Sequence, residues 1–244
     1  MHGGFFVTGT DTGVGKTIIT VALIQALRMR GIRACGMKPI ETGCGRDGSL
    51  LRPSDGMAIR SAAGMDDPIS RITPFCFETP AAPLAASERE GREIDIGIIK
   101  KEFRFLRKAY QTVVVEGVGG LLVPIKRDYS VLDLAKELDL PLVVVSRHSL
   151  GTINHTLLTV NYALERGMEV LGIIMNCTTP PEGTYAEKTN PDILRRLSPA
   201  PLLGVFPYLH DPTGEILGRT VMERSDIEAL LKKVSPVGER VPSK

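Results

Sequence analysis

Glycine, lysine and threonine meet in one short run, Thr8-Gly9-Thr10-Asp11-Thr12-Gly13-Val14-Gly15-Lys16-Thr17. Their spacing matches a loop that wraps phosphate. Glycines let the backbone curl until several N–H groups point inward at phosphate oxygens. A helix that starts there adds its positive dipole end. Lys16 then reaches the outer phosphates of a nucleoside triphosphate, with ATP as the default, and the Thr17 hydroxyl reaches Mg²⁺. One position departs from the general pattern. The glycine expected five residues before Gly15 is Thr10, and a glycine stands at Gly9 instead. The other reading of the run is a plain glycine-rich turn with a surface lysine.

Four more sets of residues could act beside such a loop. Val113-Val114-Val115-Glu116-Gly117 is an apolar strand ending in an acid, which suits the magnesium side of a phosphoryl-transfer site. Lys38 ends another apolar run and could neutralise charge that develops during phosphoryl transfer. Asp55 follows it as a second magnesium ligand or as an acid at a helix start; spacing leaves both open. Taken alone, Lys38 and Glu116 would each be ordinary solvated strand ends. The run Leu150-Gly151-Thr152-Ile153-Asn154-His155 opens a helix whose free N–H groups suit a carboxylate, with Arg147 just upstream to add charge. His155 lies inside that helix and reads as a structural histidine.

These residues need strands and helices to hold them. Runs rich in Val, Ile and Leu without polar alternation predict strands at 4–8, 34–38, 112–116, 142–146, 170–176 and 202–206, with a weaker one at 71–75. Helical spacing predicts helices at 16–29, 95–109, 131–138, 152–165 and 226–233. In the second of these, Ile98, Ile99, Phe103 and Leu106 share a face; Ser225 is the N-cap expected for the last. The Pro-rich stretch 79–83 reads as a loop entering a short helix. Strand and helix alternate, so the expected fold is a doubly wound, mainly parallel α/β sheet with helices on both faces. One domain over 1–244 is expected, with a mobile tail from about residue 234.

Composition narrows the function. The 244 residues are 43% apolar and 24% charged, with a net charge of +2, and no basic run tracks a nucleic-acid backbone. There is no secretory signal pattern and no apolar run long enough for a membrane span, so a cytoplasmic protein is expected. Cys35, Cys44, Cys76 and Cys177 show no metal-ligand spacing and read as thiols in a reducing compartment, with Cys44 in a loop that could be exposed.

The chain resembles the dethiobiotin synthetases of biotin biosynthesis from Phe6 to about Leu209. The landmarks are Phe6-Val7-Thr8-Gly9-Thr10-Asp11-Thr12, Val14-Gly15-Lys16-Thr17, Lys38-Pro39, Ser54-Asp55, Val115-Glu116-Gly117-Val118-Gly119-Gly120, Leu150-Gly151-Thr152-Ile153-Asn154-His155 and Ala200-Pro201-Leu202-Leu203-Gly204. The glycine at Gly9 is that family's own pattern. The resemblance implies a phosphate-loop NTPase fold and a ligase that carboxylates 7,8-diaminononanoate with CO₂ and closes the ring with ATP. It implies a carbamate and a carbamic–phosphoric anhydride on the way. It assigns catalysis to Lys16, Lys38 and Thr12. Asp11, Thr12, Gly13, Val14, Gly15, Lys16, Thr17, Asp55 and Glu116 would surround ATP, and Asn176, Pro207 and Tyr208 would hold its base. Thr17, Asp55 and Glu116 would bind Mg²⁺. Lys38, Thr42, Leu150, Gly151, Thr152, Ile153 and Asn154 would hold substrate, the last five across a homodimer interface. Pro80 and Pro83 match a loop near the diamine. Two departures stand out: Gly13 where some members have Glu, and Leu84 where a His is common.

Three rivals fit less well. Cobyrinate-type amidoligases carry a glutaminase domain for which this chain is too short. Partition-type ATPases, which work on DNA or membrane, place a lysine where Asp11 stands. A GTPase would need an Asn-Lys-x-Asp motif, and Asn176-Cys177-Thr178-Thr179 does not supply it.

Overall fold

A computed structural model describes residues 3–234. In chain order the first elements are β1 (Gly4–Gly9), α1 (Lys16–Met29), β2 (Ala34–Met37), β3 (Ile40–Thr42), β4 (Gly45–Asp47) and β5 (Leu50–Arg52). Then come α2 (Ser54–Ala62), α3 (Ile69–Ile72), β6 (Phe75–Phe77), α4 (Pro83–Glu90), α5 (Ile96–Ala109) and β7 (Thr112–Gly120). The short β8 (Pro124–Lys126) and β9 (Tyr129–Ser130) lead into α6 (Val131–Glu137), β10 (Leu142–Arg147) and α7 (Thr152–Glu165). The last elements are β11 (Val170–Asn176), α8 (Tyr185–Leu197), β12 (Leu202–Phe206), α9 (Gly214–Arg224) and α10 (Ile227–Val234).

Six strands form one parallel sheet in the order β12-β11-β10-β1-β7-β2. Every residue of β1, β2 and β11 is buried, as expected for strands covered on both faces. The chain steps from β1 over β7 to β2, then reverses through β7 to β10, β11 and β12. Right-handed crossovers in opposite directions put α1 and α6 on opposite faces. Order reverses beside β1, and the crevice at its carboxyl end is where such sheets bind ligands. The register sets the site directly: Met37 lies opposite Val115, so Lys38, just past β2, and Glu116, within β7, come side by side.

The structure corrects several expectations. The weak strand at 71–75 is instead the end of α3 followed by β6, which pairs with β3 in a separate small sheet. Pro68 opens that helical turn and Pro74 prevents its continuation. Helices α8 and α9 were not anticipated; α2 was, only as the helix start offered for Asp55, which stands in its first turn. Ser225 does not cap α10: its hydroxyl is buried and makes no hydrogen bond, while its backbone bridges to Gly204. Ile98 is exposed on α5, whereas Ile99, Phe103 and Leu106 are buried. Cys44 is buried and His155 is exposed, so His155 is a surface group rather than a structural one. The expected tail lies, past Val234, outside the described residues. No helix among those described is long and apolar enough to cross a membrane.

Helix α6 follows directly on β9 and starts with a capping box. Ser130 accepts from the Asp133 N–H, and the Asp133 carboxylate accepts from the Ser130 N–H at 2.8 Å. Ser130→Ala should therefore cost about 1 kcal/mol, read by urea unfolding, with activity retained.

Candidate active site

The phosphate loop leaves β1 and enters α1 in the conformation its glycines allow. Gly13 and Gly15 have φ of 73° and 83°, values that favour glycine. At Gly9 the reason is space: a Cβ would lie 2.7 Å from the Asp11 carbonyl and 3.2 Å from the Lys16 ammonium. At Gly15 a Cβ would lie 2.0 Å from the Asn176 amide. That amide donates to the Val14 carbonyl at 2.9 Å and ties the end of β11 to the loop. No side chain caps α1, so its first N–H groups remain available to a ligand.

Behind the loop sits a buried charge cluster. The Lys38 ammonium donates to Glu116 Oε1 at 2.6 Å and to Asp55 Oδ2 at 2.8 Å. The Thr17 hydroxyl donates to the same Glu116 oxygen at 2.9 Å. Lys38 is 4% exposed and Glu116 is fully buried. Burial alone would lower the Lys38 pKa, but the charges and hydrogen bonds of Glu116 and Asp55 override it and hold the ammonium above its usual range. Burial likewise works to raise the Asp55 carboxyl; Lys38, Thr17 and Lys16 more than offset it and bring it below the ordinary value. Lys16 is different. Burial, then the nearby Lys38 charge, pulls it down to about 8. Its ammonium lies 3.3 Å from the Asp11 carbonyl.

This arrangement suits a hard cation shared with phosphates. Glu116 Oε2 is buried and makes no hydrogen bond, so one carboxylate oxygen is free to bind a metal. Among the described residues no group of three or more His, Cys, Asp or Glu could hold an ion by itself. Mg²⁺ commonly binds through one or two carboxylates plus substrate phosphates, which is the donor set Thr17, Asp55 and Glu116 present.

The remaining expected residues lie around this core. Thr12 is exposed at the tip of the loop, where Arg147 reaches its carbonyl at 3.3 Å and Asp11 Oδ2 at 3.6 Å. Arg147 thus turns back to the loop, where the sequence pointed it at the helix start. Asn176, Pro207 and Tyr208 line a cavity of about 290 Å³ with Gly13, Gly15 and Ile18. Thr42 ends β3, and Pro80 packs 3.3 Å from where a Gly43 Cβ would stand. Pro83 begins α4, with Leu84 half-buried behind it. Leu150 is 87% exposed, Gly151 has a φ of 92°, Thr152 is buried, Ile153 half-buried and Asn154 exposed. Among the described residues no hydrogen bond or ion pair joins 150–154 to Lys38, Asp55 or Glu116. Leu150 and Ile153 instead line a larger cavity, about 970 Å³, with Gly13 and Arg147.

One residue beside the core had not been singled out. Glu41 is 4% exposed and accepts from the backbone of Asp55 at 2.9 Å and of Gly56 at 3.0 Å. Burial raises its pKa, and those two N–H groups oppose the shift. An acid between Ile40 and Thr42, in a stretch otherwise leading to the core, is the signal that was available.

Sheet order, loop and cluster define a phosphate-loop nucleoside triphosphatase fold. Solved structures agree: MinD of Aquifex aeolicus superposes with a TM-score of 0.53 at 15% identity, covering 99% of both chains. A ParA family ATPase from Chlorobium tepidum gives 0.51 at 14% identity, covering 94% of this chain and 93% of that one. At such identities the likeness is one of fold alone. A family model described as an AAA domain matches residues 3–215. The chain is 44% identical to the ATP-dependent dethiobiotin synthetase BioD of Thermodesulfovibrio yellowstonii, over 95% of this chain and 99% of that protein. It is 39% identical to BioD of Bacillus subtilis over 95% and 98%, and 36% identical to BioD of Bacillus licheniformis over 97% and 99%. The chain belongs to the dethiobiotin synthetase family, and it is an ATP-dependent ligase.

Removing one partner of a buried ion pair leaves an unpaired charge. Lys38→Met should lower stability to urea by about 3 kcal/mol, and adding Glu116→Gln should recover much of that loss.

Proposed function

We propose that this chain makes dethiobiotin from 7,8-diaminononanoate, CO₂ and ATP, in the cytoplasm, as a homodimer. The observation that carries the reading is the Lys38–Glu116–Asp55 cluster set against Lys16 and Thr17 of the phosphate loop. One amine of the substrate adds to CO₂, forming an N–C bond and losing a proton, to give a carbamate. A carbamate oxygen attacks the γ-phosphorus of ATP, and the bond to the β-phosphate oxygen breaks to release ADP. The second amine attacks the carbonyl carbon of the resulting anhydride, phosphate leaves, and a cyclic urea closes.

This chemistry asks mainly for position and charge. Lys38 is held as a fixed positive charge for the carbamate and the moving phosphoryl group. Lys16 faces the triphosphate, with the loop N–H groups from Asp11 to Thr17 around it, and Thr12 meets the reacting groups. Thr17, Asp55 and Glu116 hold Mg²⁺, which when bound neutralises phosphate charge. The Asn176 amide hydrogens are partly engaged by the loop, which leaves its carbonyl oxygen to accept from the adenine amine. Pro207 and Tyr208 flank the base. Thr42 lines the diamine side. Leu150 to Asn154 offer the start of α7 to the substrate carboxylate of a second copy. Exposed Leu150 and Leu158 on and beside that helix favour a covered face there.

Phosphate release should require both the diamine and bicarbonate; release that ignores the diamine would refute the reading. Lys16→Ala should abolish turnover, and Lys38→Ala should depress kcat far more than ATP affinity. With its folded pKa near 8 and its unfolded one near 10.5, Lys16 loses its proton early in the folded protein. Between those values the unfolded chain binds more protons, so this group makes stability rise with pH. Bound triphosphate pulls the proton back. ATP binding at pH 9 should therefore take up protons, measured by calorimetry in buffers of different ionisation enthalpy, and Lys16→Ala should remove that uptake.

A further inference from the structure

Glu41 has no part in the chemistry set out above, yet it is a buried carboxylate beside the cluster. It sits in the middle of β3 and faces the start of α2. Oε1 accepts from the Asp55 N–H at 2.9 Å and the Ser54 hydroxyl at 3.2 Å; Oε2 accepts from the Gly56 N–H at 3.0 Å. Pro53, which precedes the helix, makes no side-chain cap. A carboxylate from another element therefore satisfies the first turn of α2, and its charge faces the positive end of the helix.

The residue so gripped carries the site. The Asp55 N–H donates to Glu41 Oε1, and the Asp55 carboxylate accepts from the Lys38 ammonium at 2.8 Å. The next residue has no room to move. A Cβ on Gly56 would stand 2.0 Å from the Thr73 hydroxyl, so the helix start is pressed against the segment after α3. Glu41 holds the N–H groups of this turn, and Thr73 packs against Gly56. A glutamine in place of Glu41 has one acceptor oxygen for three donors and brings an NH₂ against one of them.

We propose that Glu41 is a positioning residue for the reaction: it clamps the first turn of α2 so that the Asp55 carboxylate stands against Lys38 and beside Glu116, where metal and phosphates meet. This rests on the assignment of Asp55 to Mg²⁺ made above. Glu41 touches neither substrate nor metal and acts through Asp55.

The test is Mn²⁺ binding, followed by electron paramagnetic resonance, in the presence of a non-hydrolysable ATP analogue. Four proteins are compared: parent, Glu41→Gln, Asp55→Asn and the double variant, with thermal melting as the check on folding. Glu41→Gln should weaken Mn²⁺ binding about tenfold or more, as loss of a partner behind a metal ligand does. In the Asp55→Asn background the same change should cost less than about twofold, because the route through Asp55 is already cut. Glu41→Asp keeps both oxygens on a shorter stem and should fall between parent and Glu41→Gln. Parent-like Mn²⁺ binding by folded Glu41→Gln or, should that variant not fold, by Glu41→Asp, with Asp55→Asn weakened, overturns the proposal while leaving the metal assignment intact. Parent-like binding by Asp55→Asn instead refutes the metal assignment, and the role of Glu41 falls with it.

Discussion

Lys38 is a charge with almost no access to water, and the site is organised around keeping it charged. Its two carboxylate partners come from distant parts of the chain, Glu116 from β7 and Asp55 from α2. An ammonium buried without them would shed its proton. The parallel register of β2 on β7 supplies the first partner, since Met37 and Val115 lie opposite each other at the end of β2, while β7 runs on through Glu116. The second depends on α2 returning to the same crevice. The hydrophobic sheet is thus the frame that makes an otherwise costly ion pair available at one edge.

The same cluster separates the two lysines. Lys16 and Lys38 oppose each other electrostatically, but both carboxylates bond Lys38 directly and reach Lys16 only at a distance. Lys38 is held charged, whereas Lys16 sits near 8 and has a backbone carbonyl within reach of its ammonium. A pair with unequal partners behaves differently toward an incoming anion. A polyphosphate gains most from Lys16, which still lacks a counter-charge of its own. Lys38 arrives already neutralised and is better suited to charge that moves between groups than to tight initial binding.

Much of the frame was legible because buried parallel strands read as unbroken apolar runs. The ranges for α1, α7, β11 and β12 matched residue for residue, and those for β1, β2, β7 and β10 matched at the start. The site core was legible because Gly15-Lys16-Thr17 and Lys38 stand at element ends, where pattern and chemistry coincide; Glu116 ends an apolar run, but β7 itself continues past it to Gly120. What escaped has physical causes. Helix α8 buries only Asn190 and Leu194 and carries Pro191 inside, so its apolar stripe is thin. Helix α9 contains Gly218, where a Cβ would lie 2.7 Å from Cβ of Gln25 on α1; close packing there demands a poor helix former. The small β3–β6 sheet has strands of three residues, too short for periodicity. Glu41 escaped because a helix capped by a residue 14 positions upstream, across a hairpin, leaves no local signature.

The loop glycine at Gly9 shapes the setting of Lys16. By the general phosphate-loop pattern it is one residue early. In the fold it is the point where the Asp11 carbonyl and the Lys16 ammonium both close on the end of β1, leaving no space for a side chain. Lys16 is curled back over its own loop, its ammonium 3.3 Å from the Asp11 carbonyl. A Cβ at residue 9 would meet the Asp11 carbonyl at 2.7 Å, so the loop backbone would have to open before a side chain fitted there. The early glycine lets the loop close around Lys16, whose pKa falls first because it is buried and second because Lys38 is charged nearby, while Glu116 and Asp55 offset part of both.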